Sequence, residues 1–361
     1  MTSLPVYKSD CRHFRGDIPC TPHKREGVHC ETCPHYAHTD RNVLIIKLGA
    51  IGDVIRTTPL LRRLRTLHPG ARIWWLTLTP EILPSDVDVK LRFDMASIMS
   101  LLAVKFDLLI NLDKDREACA LADRIAGSVK KGFILRNGIC APIDEHAEHK
   151  FMTGIFDDLN QANTKHYVEE IFEVCGWKWE GEEYLLEFSS DRVFGLDHAR
   201  PIVGLNTGCG GRWTSRLWPE ASWIALARQL QGAGCQVLFL GGEQEHEKNQ
   251  RLAQETGGLY LGHFPLQTFI ALMNECDVIV SAVTMAMHIA IGLRKPLVLF
   301  NNIFNPHEFE LYGRGEILAP AKPCTCFFKP TCVNPDYRCM EHLTPDSVRD
   351  AVLRWVPAKA V

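Results

Sequence analysis

The stretch Val43–Leu64, VLIIKLGAIGDVIRTTPLLRRL, decides the fold of this chain. Its first four residues form an apolar run that is too short for a helix and rich in β-branched side chains. They therefore predict a buried strand of a parallel sheet. Gly49 and Gly52 follow, where small residues let the backbone turn sharply or approach a ligand. The remaining residues predict a helix with leucines on one face and arginines on the other.

Asp53 lies between the predicted loop and the predicted helix. A carboxylate near the C-terminal end of a strand, beside a helix start, is where open α/β sheets carry out their chemistry. A residue of this type also caps helices by accepting backbone N–H groups. Spacing alone leaves both roles open.

The run KLGAIGDVIRTTPLLRRL resembles the N-terminal signature of glycosyltransferase family 9, the lipopolysaccharide heptosyltransferase family. In that family the aspartate of the Gly-Asp pair is the catalytic base, and Asp53 occupies its position. The resemblance covers residues 41–355 and implies an α/β protein of GT-B architecture, in which two Rossmann-like, doubly wound domains face a cleft.

Composition narrows the class of protein. The chain has 361 residues, enough for two domains, of which 46% are hydrophobic and 23% charged. A net charge of −3 argues against a general nucleic-acid-binding protein, which would need a basic surplus. No apolar run approaches the roughly 20 residues of a membrane span, and the first residues do not resemble a secretory signal. We therefore expect a cytoplasmic protein.

The arginines of the first predicted helix bear on location. They form a basic face that could make a peripheral contact with anionic lipid at the inner face of the inner membrane. The alternative interpretation, which we favour, is a solvated helix face. The residues concerned are Arg56, Arg62, Arg63 and Arg65.

Strands and helices alternate twice along the chain, with a polar, turn-rich break at Ser189–Pro201. This alternation predicts two doubly wound domains with parallel sheets. Residues 140–165 show no clear strand, and Pro296–Phe300 is the last predicted strand. We expect a cysteine-rich extension in residues 1–40, an acceptor domain in 41–195, a nucleotide-sugar donor domain in 196–335 and a closing helix in 336–361.

The second half carries groups that suit a nucleoside-diphosphate donor, whose recognition needs backbone N–H groups, glycines and cations. Thr207 and Gly208 open a glycine-rich loop after a predicted strand, and Arg212 and Arg216 follow. The family places a cation two residues before a Trp-Pro pair, against the donor phosphates, and Arg216 holds that position. A guanidinium can grip a phosphate bidentately. The alternative is a surface residue ahead of a helix.

The family also binds the donor ribose with a glutamate after the next strand. Glu245 fits this role best, and Glu247 is the alternative. Acidic residues bind ribose hydroxyls in dinucleotide folds, although either glutamate could instead favour the helix N-terminus electrostatically.

The segment SAVTMAMHIAIGL resembles the family's Asp-Thr/Ser-Gly-x-x-His sequence. Thr284 and His288 match it, whereas Val283 replaces the aspartate and Met285 replaces the glycine. The resemblance implies donor contacts at Thr284, Met285 and His288. The missing carboxylate indicates a different sugar nucleotide, a repositioned phosphate or lost activity. His288 could also be a core histidine.

Eight of the fourteen cysteines fall into two clusters. Thiolates bind zinc and iron, and residues 1–40 lack apolar periodicity, so a metal is the simplest way to order them. Spacing does not distinguish structural zinc, iron and an iron–sulfur cluster. A related branch of autotransporter heptosyltransferases carries a cysteine-bound iron, which extends the prediction to the second cluster. The predicted ligands are Cys11, Cys20, Cys30 and Cys33, and then Cys324, Cys326, Cys332 and Cys339.

The resemblance implies an inverting transfer of a heptose-like sugar from an ADP-heptose-like donor to a lipid-linked, lipopolysaccharide-type saccharide, without a catalytic metal. Asp53 would deprotonate the acceptor, while Arg216 and the helix start at Thr284 would stabilise the leaving diphosphate. One alternative is a protein glycosyltransferase of the autotransporter type. The other is a catalytically silent sugar-nucleotide-binding or metal-sensing protein, which Val283 and Met285 favour.

Overall fold

The computed structural model describes residues 6–358, which form two compact units. The first unit comprises the described residues up to Gly49 together with Thr57–Phe151 and Ile171–Glu182. The second comprises Ala50–Arg56, Met152–Glu170 and the chain from Glu183 onwards. The units interleave along the chain, and units defined by contacts need not be domains that fold independently. The predicted boundary near residue 195 therefore stays a prediction.

Six strands form the sheet of the first unit: β1 (Arg41–Ile46), β2 (Ala71–Thr77), β3 (Val89–Arg92), β4 (Phe106–Asn111), β5 (Gly127–Arg136) and β6 (Ile139–Pro142). Their order is β3-β2-β1-β4-β5-β6. Strands β1 to β5 run parallel, and β6 pairs antiparallel with β5. The apolar run after Asn42 is buried in β1 at the centre of the sheet, as predicted.

The described residues of this half of the chain contain eight α-helices: α1 (Thr21–Glu26), α2 (Ile51–Ile55), α3 (Pro59–Leu67), α4 (Met95–Leu102), α5 (Arg116–Arg124), α6 (Glu148–Met152), α7 (Asp157–Ala162) and α8 (Tyr167–Val174). The single helix predicted after β1 is two helices, and Pro59 begins the second because proline suits the first helical turn. Sequence reasoning missed the polar strand β3 and the helix α4. The segment expected to lack strands begins with β6.

Three of the four arginines of the predicted solvated face pair with carboxylates, so that interpretation was wrong for Arg56, Arg63 and Arg65. Arg56 pairs with Asp53 and with Glu308. Arg63 pairs with Glu180 and Glu182, and Arg65 pairs with Asp88. The planar guanidinium tolerates partial burial when a carboxylate satisfies it. Because these charges are compensated locally, these three arginines do not form the basic row that attracts anionic lipid.

Five strands form the sheet of the second unit: β7 (Ile202–Asn206), β8 (Gln236–Leu240), β9 (Val278–Ala282), β10 (Leu297–Phe300) and β11 (Gly315–Leu318). All are parallel, in the order β11-β10-β9-β7-β8. Every residue of β7 to β10 is buried, as expected of strands covered on both faces. The short strand β11 follows β10, which sequence reasoning took as the last strand.

Five helices complete the second unit: α9 (Glu220–Gly232), α10 (His246–Thr256), α11 (Leu266–Asn274), α12 (Met285–Gly292) and α13 (Pro345–Trp355). In α13, the side chain of Thr344 caps the N-terminus by accepting the N–H of Ser347. Trp223 of α9 packs against Trp218 and Phe300 in the core. The chain thus has a mixed α/β fold with two parallel-strand sheets. Within residues 6–358, no helix has both the length and the apolar character that a membrane crossing requires.

Candidate active site

A cavity of about 830 Å³ lies within the second unit, and all its lining residues belong to that unit. Its wall includes residues that follow the carboxyl ends of β7, β8 and β9, the edge at which open α/β sheets bind ligands. The helix α2 contributes Gly52, Asp53 and Arg56 to the same wall. The volume is in the range of small-molecule sites.

Asp53 is part of α2 and does not cap it, because the N-cap position is held by Ala50. The Asp53 side chain is 34% exposed, and its Oδ1 lies 2.8 Å from Nη2 of Arg56. The carboxylate is therefore both accessible from the cavity and oriented by a cation one helical turn away. These are properties that a general base requires.

Arg56 connects Asp53 to a second carboxylate. Its Nη1 donates to Oε1 of Glu308 at 2.7 Å, and its guanidinium lies 3.4 Å from the ring centroid of Tyr167. Burial disfavours the charge of Arg56, but the electrostatic effects of Asp53, Tyr167 and Glu308 outweigh it and raise the pKa. Arg56 is therefore a compensated cation.

His288 is buried in α12 and lies against α2. A Cβ on Gly52 would lie 2.5 Å from Cδ2 of His288, so only glycine fits there. Burial, followed by the charge of Arg56, lowers the pKa of His288 to about 3. The imidazole is therefore neutral at physiological pH. Among the described residues, its Nδ1 finds no hydrogen-bond partner.

Arg216 is a different kind of cation. It is 7% exposed, and it donates to the carbonyl oxygens of Cys209 and Trp213. The rings of Trp213 and Phe304 lie 5.7 and 5.4 Å from its guanidinium carbon. Within residues 6–358, no carboxylate forms an ion pair with it. Burial lowers its pKa to about 10, so it keeps its charge at neutral pH. A buried cation without a counter-charge is costly unless a ligand supplies one.

The N-terminus of α12 forms another part of the wall. Thr284 is the N-cap residue, and its Oγ1 accepts the N–H of Ala286 at 3.2 Å. Nδ2 of Asn206 and the hydroxyl of Ser281 also contact Thr284 Oγ1. A helix N-terminus beside Arg216 in one cavity favours an anionic ligand.

Glu245 lines the cavity, whereas Glu247 does not. Oε2 of Glu245 accepts the N–H of Gly242 at 3.0 Å. The side chain packs so closely over Gly208 that a Cβ at that glycine would overlap it. Of the two predicted glutamates, therefore, only Glu245 lies on the cavity wall.

Two predicted donor residues do not line the cavity. The hydroxyl of Thr207 donates to Oδ1 of Asn249 at 2.6 Å, and the residue is buried. Arg212 is exposed, with its guanidinium carbon 5.5 Å from the ring centroid of Trp213. The other predicted donor residues, Gly208, Arg216, Glu245, Thr284, Met285 and His288, share the wall with Asp53.

Sequence reasoning missed part of the wall. Glu308 lies in a loop after β10 and reaches Arg56 across 252 residues of sequence, so no local pattern signals the pair. Several aromatic residues from α11 and from separate loops also line the cavity. A cue for Arg56 was its position three residues after Asp53. The missed aromatic residues are Trp213, Phe264, Phe269, Phe304, Phe309 and Phe328.

The two cysteine clusters line two further cavities. Cys11, Cys20, Cys30 and Cys33 line a small one in the first unit, and Cys324, Cys326, Cys332 and Cys339 line one of about 260 Å³ in the second. Among the described residues, no three His, Cys, Asp or Glu side chains are already grouped to hold a metal ion. The metal assignments therefore stay predictions.

In the second cluster, the thiols of Cys326 and Cys332 are 3.8 Å apart. Burial favours the neutral thiol of Cys326, but the N–H of Val333 and the neighbouring thiol outweigh it and lower the pKa. The same cysteine-rich segment supports the turn that carries Arg216, because Ser215 donates to the carbonyl oxygen of Lys329 at 2.8 Å. These thiols are chemically suited to a metal such as iron or zinc.

A sequence model described as "Glycosyltransferase family 9 (heptosyltransferase)" matches residues 95–337, which is more than half of the chain. Lipopolysaccharide heptosyltransferase 2 of Salmonella typhimurium is 33% identical over 126 residues, or 33% of this chain and 35% of that protein. The alignment therefore spans about a third of the length of this curated relative.

Solved structures share the fold. A family 9 glycosyl transferase from Veillonella parvula matches with a TM-score of 0.68 and 18% identity, over 88% of this chain and 97% of its own. The E. coli ADP-heptose lps heptosyltransferase II matches with a TM-score of 0.61 and 18% identity, over 87% and 98%. The iron-containing dodecameric glycosyltransferase TibC of enterotoxigenic E. coli matches with a TM-score of 0.55 and 16% identity, over 88% and 76%. The family match and the shared two-sheet fold together show that this protein belongs to glycosyltransferase family 9, the heptosyltransferase family.

Proposed function

We propose that this protein transfers a heptose-like sugar from an ADP-type nucleoside diphosphate to a hydroxyl of a lipid-linked, lipopolysaccharide-type saccharide. The observation that carries the proposal is the buried, uncompensated cation Arg216 in the cavity that also holds Asp53. The donor and acceptor classes come from the names of the relatives described above.

The donor diphosphate would supply the negative charge that Arg216 lacks. A guanidinium can donate two parallel hydrogen bonds to a phosphate, and the N-terminus of α12 at Thr284 adds backbone N–H groups. Glu245 would accept hydrogen bonds from the ribose hydroxyls, as acidic residues do in dinucleotide folds. The rings of Trp213 and Phe304 offer apolar surfaces beside the phosphate site. Val283 removes a carboxylate and Met285 adds a side chain where the family has glycine, but both leave the backbone N–H groups in place.

In the proposed reaction, the acceptor hydroxyl oxygen attacks the anomeric carbon and the bond from that carbon to the diphosphate oxygen breaks. Asp53 takes the hydroxyl proton, and the bonding electrons leave with the nucleoside diphosphate, so the configuration inverts. Arg56 orients the carboxylate of Asp53 through the 2.8 Å ion pair. Arg216 and the helix N-terminus stabilise the charge on the leaving group, so the scheme requires no catalytic metal.

A second candidate is a protein that binds sugar nucleotides without turning them over. Val283 and Met285, both on the cavity wall, favour it because the family sequence has aspartate and glycine there. An enzyme that glycosylates a protein acceptor would use the same donor chemistry. Donor turnover distinguishes the proposed transferase from a silent binding protein. The acceptor that is used distinguishes it from a protein glycosyltransferase.

The test uses the full chain, purified anaerobically, with a panel of ADP-, GDP- and UDP-sugars and a lipid A–core extract. We expect transfer from an ADP-sugar, with the inverted product identified by NMR. Tight nucleotide binding without transfer or donor hydrolysis would support the silent binding protein instead.

Asp53→Ala tests the assignment of the base. We expect the transfer rate to fall by about 10²- to 10⁴-fold, since a positioned general base contributes this much, while ADP affinity is retained. Asp123→Ala is the matched control, because Asp123 is an exposed carboxylate on α5 that does not line the cavity. If Asp53→Ala keeps the wild-type transfer rate, Asp53 is not the base.

A further inference from the structure

The N-terminal extension, residues 6–40, has too little buried surface to be ordered by packing alone. Among these residues only Cys11 and Pro22 are buried, and α1 is the one helix, six residues long. A segment of this kind needs a cross-link or a bound ion to hold a defined conformation. The proposed transferase activity does not involve this segment, which belongs to the first unit.

All four cysteines of the extension nevertheless converge on one cavity. Cys11, Cys20, Cys30 and Cys33 line a cavity of about 20 Å³. A single water-sized occupant fills a space of this size. Thiols are weak hydrogen-bond partners for a water, whereas the four cysteines that line this small space supply the number and type of ligands of a tetrahedral metal site.

Tight backbone turns position three of these cysteines. The carbonyl oxygen of Cys11 accepts the N–H of Phe14, and that of Cys33 accepts the N–H of Tyr36. Cys20 is the N-cap residue of α1, and its carbonyl oxygen accepts the N–H of Lys24. The turns direct cysteines that lie up to 22 residues apart in sequence toward the same cavity.

One end of the cluster is anchored to the sheet of the first unit. The guanidinium of Arg72, in β2, donates to the carbonyl oxygen of Cys11. Arg12 donates in return to the carbonyl oxygen of Pro69 at 2.7 Å and pairs with Asp88 at 3.4 Å. An ion that binds Cys11 together with the other three thiols would therefore join the outer part of the extension to this sheet.

We infer that Cys11, Cys20, Cys30 and Cys33 bind one divalent transition-metal ion, of the zinc and ferrous-iron class, as four thiolates. The ion orders the extension and ties it to β2 through Cys11. The thiols are not yet at ligand spacing, so the ion draws them inward from the cavity wall as their protons leave. His13 also lines the cavity, but it is exposed and is not one of the four ligands.

Metal analysis of the purified full chain tests the inference. We expect the zinc or iron content of the Cys30→Ser/Cys33→Ser variant to fall by about one ion per chain, and that of His13→Ala to stay at the wild-type level. Cys140→Ser is the matched control, because Cys140 is partly exposed, lies in the same unit and does not line the cavity. The second cysteine cluster is unchanged in every variant. Any metal that it binds therefore contributes equally to the metal content of the variants and of the wild-type protein. An unchanged metal content in the double variant would overturn the inference.

A second measurement avoids any folding defect of a variant. The wild-type chain is stripped of metal with a chelator, reloaded with Zn²⁺ or Co²⁺, and labelled with iodoacetamide before peptide mass analysis. We expect Zn²⁺ to protect the three partly exposed ligands, Cys20, Cys30 and Cys33, and Co²⁺ to produce thiolate charge-transfer absorption that the double variant lacks. Equal labelling with and without Zn²⁺, or disulfides among these cysteines in anaerobically purified protein, would contradict the inference.

Discussion

Two arginines line the same cavity and are in opposite electrostatic situations. Arg56 is held between Asp53 and Glu308, and its pKa is raised. Arg216 is buried among carbonyl oxygens and aromatic rings, and its pKa is lowered to about 10. Carboxylates compensate the charge of the first arginine, whereas within residues 6–358 the second has only carbonyl oxygens and aromatic rings as partners. The comparison shows that two buried arginines in one cavity can differ in charge compensation, and our proposal of a phosphate site rests on the arginine that has no carboxylate partner among the described residues.

Of the two arginines, Arg216 is expected to show the larger effect. We expect Arg216→Gln to weaken ADP binding by about 100-fold, since charge-assisted hydrogen bonds to a phosphate contribute the most in a desolvated site. Isothermal titration with ADP measures this directly. Arg212→Gln is the matched control, because Arg212 is exposed, stacks on Trp213 and does not line the cavity. Equal losses in the two variants would refute the proposed phosphate site.

A smaller effect, on stability, is expected at Arg56. Arg56→Gln leaves Asp53 and Glu308 without their shared cation, so the free energy of unfolding should fall by about 2 kcal/mol, a value reduced because Asp53 is one-third exposed. Urea denaturation measures the change.

Arg216→Met should have little effect on the stability of the ligand-free protein, in contrast to Arg56→Gln. Its free energy of unfolding should change by less than about 1 kcal/mol, because the variant removes an uncompensated buried charge and keeps apolar volume. If Arg216→Met destabilises the ligand-free protein more than Arg56→Gln does, the distinction between the two arginines fails.

A further effect concerns the pH dependence of stability near Arg56. The pKa of His288 is about 3 in the folded state, below the 6.5 of an unfolded chain, so only the unfolded state binds this proton between those values. The stability that His288 contributes is therefore complete above pH 6.5 and is lost as the pH falls toward 3. We expect a loss on the order of 1 kcal/mol between about pH 7.5 and about pH 5.5. His288→Gln should remove this part of the pH dependence, and identical slopes for the two proteins in urea titrations would exclude it.

The smallest expected effect is that of the charge of Arg56 on the pKa of His288. Burial is the main cause of the low pKa of His288, and the charge of Arg56 is the second cause. In Arg56→Gln, the pKa of His288 should therefore rise but stay below 6.5. An NMR titration of labelled histidine measures it. A return to the ordinary value would mean that the charge, not the burial, controls this histidine.

Much of the fold was predictable because local patterns carry it. Buried strands are apolar runs of limited length, and the helices between them have apolar faces, so the predicted bounds of β1 and β10 agree with the structure within two residues. The strand β3 was missed because its sequence, VKLR, alternates with charged residues and resembles a loop. Strand β11 was missed because it is short and only partly buried.

The candidate site also has a part that local sequence predicts and a part that it does not. Arg216, Glu245, Thr284 and His288 were predictable because each follows a strand of one regular βα series. The long-range contacts around the site and its neighbouring loops were not predictable. Glu308 reaches Arg56 from the loop after β10, and the carboxylate of Asp113 accepts the N–H of Leu48 from 65 residues away. Asp113 is a buried support of the loop that follows β1, and it also pairs with Lys47.

The sequence by itself determined the βα alternation, the family and the identity of the groups available for chemistry, because these depend on residue type and local spacing. Only the tertiary structure decided which charges are compensated. Arg56 and Arg216 have the same type of side chain, and long-range folding gives Arg56 two carboxylate partners and Arg216 none among residues 6–358. The physical reason is that electrostatic energy depends on distances in space, and contacts between segments far apart in the chain are set by packing rather than by local sequence.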